Sequence, residues 1–94
     1  VITPFVPTSV GNGHKTVTTA GTRVQLANIA CKAVSIAAKA DNTGKMYLGD
    51  SSVDATNGRI LEPGESIDIA IDNLNRFYLD SEVDGEGISA LWVA

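Results

Sequence analysis

The sequence predicts an all-β fold, an antiparallel β-sandwich of about eight short strands, jelly-roll-like or a small barrel, behind an extended N-terminal arm. Three observations carry that expectation. Segments rich in Val, Ile, Thr and Tyr recur from Lys15 to Val93, separated by Gly, Asn, Asp and Pro at near-regular intervals. In the clearest of them, "SIDIAID", Ile67, Ile69 and Ile71 fall on one face while Asp68, Ala70 and Asp72 fall on the other. The breaks are turn dipeptides: Asn57-Gly58, Pro63-Gly64 and Asp84-Gly85. A chain of 94 residues fits one domain, here an arm over 1–14 and a sandwich over 15–94.

The arm, "VITPFVPTSVGNGH", holds two of the three prolines and a Gly-Asn-Gly run, with neither a helical nor a two-residue period. Its Val1, Ile2, Phe5 and Val6 suit a neighbouring surface better than water. "KTVTT" and "TRVQLA" follow, divided by Ala20-Gly21. "KAVSIAAKA" is helical by alanine propensity alone, yet Val34 and Ile36 are β-branched at alternate positions and Asp41-Asn42-Thr43-Gly44 is a turn, so it reads as a strand with Val34, Ile36 and Ala38 inward. "KMYLG" and "RILE" flank the loop "DSSVDATNG", and "LEPGES" centres a type II turn on Pro63 and Gly64. In "NRFYLD", Phe77 and Leu79 oppose Arg76, Tyr78 and Asp80. "VDGEG" then reads as a tight hairpin turn into "GISALWV". There Ile88, Ala90 and Trp92 alternate with Ser89, Leu91 and Val93, apolar on both faces, so the strand is central in the sandwich or meets another subunit.

Composition excludes several classes. The net charge is −4 and the seven Lys and Arg are scattered from Lys15 to Arg76, leaving no basic patch for nucleic acid. Cys31 is the only cysteine, which rules out an intrachain disulfide and reads as a small buried hydrophobe. No apolar run approaches the roughly 20 residues of a membrane span, and the first residues lack the charged-then-apolar order of a signal peptide. A soluble chain made in the cytoplasm is expected.

Several motifs carry the letters of a chemical site without its full pattern. Gly85-x-Gly87-x-x-Ala90 has the letters of a dinucleotide fingerprint but no following helix. Asp80-x-Glu82-x-Asp84-Gly85 matches the first half of a calcium loop, but Leu91 stands where the bidentate Glu belongs. On an extended strand these three carboxylates share one face, which reads as a solvated rim, with an adventitious or interface calcium site as the alternative. Gly49-Asp50-Ser51-Ser52 has the look of an esterase serine block, yet the single histidine, His14, lies in the arm without a spaced Asp partner. Glu62 and Glu65 flank a turn with no apolar pocket to raise either pKa. Tyr47, Tyr78 and Trp92 are candidates for a sugar- or peptide-stacking platform, or for core and interface. No catalytic residue, cofactor or metal site emerges.

From Thr16 to Val93 the chain resembles a group of small virion proteins of tailed bacteriophages. The shared pattern is "TAGT-x-VQL", "NTG-x-x-Y-x-G", "V-x-ATNG-x-x-L-x-PGES", "IDNL" and a closing "VDGEG". It rests on turn and strand positions: Gly44, Tyr47, Gly49, Asn57, Gly58, Pro63, Gly64 and Gly85. The resemblance implies a β-sandwich structural subunit without enzymatic activity, located in the virion after synthesis in the host cytoplasm. It further implies a capsid decoration or cement protein, or the base of a head spike or tail fibre. The partners it implies are the major capsid protein or other virion proteins, with a homo-oligomer, a trimer first, and neither nucleic acid nor membrane. A carbohydrate-binding host-adhesion module is the other class the aromatics allow. The expected contact residues are Val1, Ile2, Phe5, Val6, Leu91, Trp92 and Val93.

Overall fold

The computed structural model describes residues 7–94, so Val1, Ile2, Phe5 and Val6 lie outside the described residues. Eight strands form: β1 (Val10–Val17), β2 (Val24–Gln25), β3 (Ala33–Ala38), β4 (Met46–Gly49), β5 (Arg59–Leu61), β6 (Ser66–Ile69), β7 (Tyr78–Ser81) and β8 (Glu86–Val93). They make two four-stranded antiparallel sheets, ordered β1-β8-β3-β6 and β2-β7-β4-β5. The expected sandwich is therefore present. Its pairs β4·β5, β3·β6, β2·β7 and β1·β8 are those of one long ribbon doubled back at residues 50–58, then rolled until β3 meets β8 and β4 meets β7. This is the jelly-roll arrangement.

The core follows from strand alternation. Val34, Ile36 and Ala38 of β3 and Ile88 and Ala90 of β8 point inward from one sheet, as expected, and meet Met46, Leu48, Leu61 and Leu79 from the other. Leu74 of the "IDNL" segment closes one end of this core at 2% exposure. Asn73 fixes it there: its side-chain oxygen accepts from the backbone N–H of Ile29 at 3.1 Å and of Asn75 at 2.9 Å. That cap starts a 3-10 turn over Leu74–Arg76, so the strand expected across "NRFYLD" begins only at Tyr78.

Two further expectations are corrected. β1 starts at Val10 and takes in residues 10–14, which composition had assigned to the arm. Gly11 and Gly13 are tolerated in it because Trp92 lies across them and supplies the apolar cover that their missing side chains do not. "VDGEG" is not a hairpin, since β7 and β8 belong to different sheets. Gly85 does adopt the positive φ expected of it, +79°, but the turn carries the chain between layers.

Gly58, in the loop where the ribbon doubles back, combines a left-handed backbone with crowding at the missing Cβ. Its φ is +101°, and a Cβ there would fall 2.6 Å from Val53 Cγ2 and 2.9 Å from the Leu48 carbonyl oxygen. Gly64, with φ +84°, has open space around it. Gly64→Ala is therefore expected to cost about 1 kcal/mol through backbone strain alone, and Gly58→Ala about 2–4 kcal/mol because the collision adds to the strain. Urea midpoints of the two variants measure the difference, and equal midpoints would contradict the geometry.

Candidate functional site

The acidic stretch Asp80–Glu86 runs from β7 into β8 at one end of the sandwich. Asp80 is 2% exposed, a correction to the solvated rim expected of it. Its Oδ1 accepts from the backbone N–H of Gly21 at 2.9 Å and of Ser81 at 2.8 Å. Asp84 Oδ1 accepts from Ala20 N–H at 2.7 Å, and Glu82 Oε1 from Lys45 N–H at 3.2 Å. Glu86 takes Thr43 N–H at 2.6 Å and Thr43 Oγ1 at 3.0 Å on one oxygen, with Gly44 N–H at 2.9 Å on the other. Asn42, 8% exposed, completes the junction by donating to Gly87 O at 2.9 Å.

Carboxylates spaced like cation ligands thus hold backbone amides of two different loops. Among the described residues no group of three or more His, Cys, Asp or Glu side chains is placed to share a metal ion. Gly85 and Gly87 open a strand, not a helix, so no row of helix amides faces them.

The remaining motifs are also held locally. Asp50 Oδ1 accepts from Ser52 N–H at 2.9 Å and Ser52 Oγ at 2.6 Å, and Asp54 repeats the pattern with Thr56. These bonds hold both carboxyls below the usual range, the Ser52 and Thr56 hydroxyls contributing most. His14 lies on β1 in the other sheet. Glu65 accepts from Glu62 N–H at 2.7 Å, and Glu65 N–H donates to Glu62 O at 2.9 Å, the bond of the expected Pro63-Gly64 turn. Cys31 is buried with its thiol against Ile71 O at 3.3 Å, and burial, then Asp72, raises its pKa. The three aromatic candidates do not converge. Tyr47 and Tyr78 sit on the outer face of the β2-β7-β4-β5 sheet, whereas Trp92 packs against the core from the other sheet.

What stands open is the outer face of the β1-β8-β3-β6 sheet. Register places Val10, Val93 and Ala33 in one row across it, then Asn12, Leu91 and Ser35, then His14, Ser89 and Ala37. Val10 is 72% exposed and Leu91 53%. A shallow groove runs between Leu91, Val93, Ala33 and Ser35, with Asp68 at its β6 side. Of the residues expected to make contacts, Leu91 and Val93 are on this face. Trp92 is not, because adjacent strand residues point to opposite sides. Val10, Ala33, Ser35 and Ala37 were missed. The alternation of Ala33, Ser35 and Ala37 with the inward Val34, Ile36 and Ala38 was the available signal.

No protein-family model, curated protein or solved structure matches the chain.

Glu86 supplies a pH test of the acidic junction. The Thr43 amide, then the Gly44 amide and the Thr43 hydroxyl, hold its carboxyl below the ordinary glutamate value. A depressed folded-state pKa contributes stability that is fully present above the unfolded-state value and lost as pH falls through the folded-state one. Glu86→Gln is therefore expected to lower the urea midpoint at neutral pH, and the gap to the parent to close on acidification to about pH 3. A gap independent of pH would show that the charge contributes nothing.

Proposed function

We propose that this chain is a non-enzymatic structural protein of a tailed-phage virion, a capsid decoration or cement protein. In this reading it lies on the outer surface of the shell and stabilises the joints between capsid subunits. The observation that carries it is the outer face of the β1-β8-β3-β6 sheet. Leu91 and Val10 stand out of this surface beside the small side chains Ala33, Ser35, Ala37 and Ser89, which let a partner's backbone come close over β3, while Asn12 and His14 lie on its β1 side. The virion assignment itself is supported by the turn and strand motifs from Thr16 to Val93.

Each copy contributes a modest contact. Burying one leucine stabilises by about 1.5–3 kcal/mol, and repetition on a symmetric lattice multiplies the effect without any single contact being strong. The major capsid protein is the partner, and a homo-oligomer, a trimer first, is the form that matches symmetric positions on a shell.

Purified protein is expected to bind shells that lack it and to raise their survival on heating. Leu91→Glu should weaken that binding by about tenfold or more while leaving the circular dichroism unchanged. Unaltered affinity of this variant, or shells equally heat-resistant with and without the protein, would sink the cement role. Glycan binding lost on Tyr78→Ala would favour the adhesion module instead.

A further inference from the structure

The opposite sheet, β2-β7-β4-β5, carries on its outer face a groove of about 500 Å³, within the size of ligand sites. Tyr47 and Asp80, cross-strand partners on β4 and β7, line it between the turn at Ala20-Gly21 and the loop 54–56, with Glu82 just beyond β7. Both walls are fixed. Asp80 Oδ1 holds the Gly21 amide at 2.9 Å, and Asp54 Oδ1 holds the Thr56 amide at 2.8 Å and the Thr56 hydroxyl at 2.7 Å.

Two polar atoms of this groove lack a partner. Tyr47 is 6% exposed and Asp80 2%. The Tyr47 hydroxyl makes no hydrogen bond among the described residues, and Asp80 accepts through Oδ1 alone, which leaves Oδ2 unpaired. Neither atom is sealed in protein, because among the described residues every fully enclosed side-chain nitrogen or oxygen has a partner. Both therefore reach open space, and that space is the groove their residues line. A carboxylate buried this deeply is poorly solvated, so a cation brought to its free oxygen gains more than it would at an exposed one.

We infer that this groove receives an arginine side chain of another protein. Asp54, Asp80 and Glu82 line it and no lysine or arginine does, so it favours a cation. No three carboxylates among the described residues are placed to share a metal ion, so a point charge does not engage them together. A guanidinium suits acceptors that lie apart: its N–H donors are spread over a planar fork, for Asp80 Oδ2, the Tyr47 hydroxyl and a rim carboxylate. A second copy fits less well. Of the chain's three arginines, Arg23 donates to Val53 O at 3.1 Å and Arg76 is paired with Asp72, and two chains of net charge −4 repel each other.

The inference stands apart from the shell reading, which concerns the other sheet. In the intact protein the backbone amides of Gly21, Ser81 and Thr56 each bond to an aspartate of the groove, so their NMR signals report occupancy. The peptide acetyl-Gly-Arg-Gly-amide should shift them saturably, in about the millimolar range for an isolated side chain. Its lysine counterpart should bind at least about threefold more weakly, and its uncharged citrulline counterpart should leave the signals in place. Tyr47→Phe, which removes only the hydroxyl, should weaken the arginine peptide by about threefold or more. Ala55→Lys, which adds a cation at the exposed rim, should abolish the shifts with circular dichroism unchanged. Equal shifts from arginine and citrulline, no shift from arginine, or affinity unaltered in both variants would remove the groove as a site. Equal affinity for lysine would overturn the selection of arginine, and signals that move on dilution of the protein alone would put a second copy in the groove instead.

Discussion

Everything in this fold depends on the last strand being inserted between the first and the third. β8 pairs with β1 over Val10–Val17 on one side and with β3 over Ala33–Ala38 on the other, so the sheet closes only when the C-terminal segment is in place. This explains why β8 is apolar on both faces: Ile88, Ala90 and Trp92 serve the core, and Leu91 and Val93 the outer surface. It also explains Gly87. A Cβ at that position would collide with the Lys15 carbonyl, so the approach of β1 to β8 requires glycine even though its φ is unexceptional. Because these contacts join the two ends of the chain, loop closure must be completed before they stabilise anything, which makes folding slow for a domain of this size.

Rolling the ribbon has a second cost, since successive strands lie in different layers except at the β4–β5 turn. The crossing segments carry backbone amides that no strand neighbour can satisfy. Asp80, Asp84, Glu82 and Glu86 accept from those amides, tying the turn at Ala20-Gly21 and the loop at Thr43–Lys45 to the β7–β8 connection. The every-second-residue spacing that imitates a calcium loop thus has a plain origin. Asp80, Glu82, Asp84 and Glu86 line a chain that leaves one sheet and enters the other, with a free amide within reach of each.

The sandwich was legible in the sequence because its signals are local. Alternation at Val34, Ile36, Ile67 and Ile69, and the turns at Asn57-Gly58 and Pro63-Gly64, each depend on a few adjacent residues. What escaped was pairing. Asp84-Gly85 has the composition of a hairpin turn, but whether its flanking strands share a sheet is decided by β1, some 70 residues away. The same limit hid the burial of Asp80, whose acceptor role is set by a turn at Ala20-Gly21, and led Gly11 and Gly13 to be placed in an arm. Glycine lowers strand propensity, and only the distant indole of Trp92 compensates for it. The parity of β8 could be read, yet which parity faces outward depends on the neighbours on both sides. Leu91 and Trp92 were therefore grouped together although they serve opposite surfaces.

That division bears on how copies of this chain meet each other. β1 is a long edge strand, and an uncapped edge is the usual route to uncontrolled association by strand pairing. Lys15 opposes it. Paired with Ile88, it stands on the inner side of the sheet at its border, half-buried, so an added strand would trap its ammonium between backbones. Desolvating such a charge costs several kcal/mol, comparable with what a short ladder contributes. The other sheet border is β6, four residues long with Asp68 on its outer side. With both borders of this sheet guarded by charge, association is directed to side-chain surfaces, whose shape and polarity select a partner as strand edges do not.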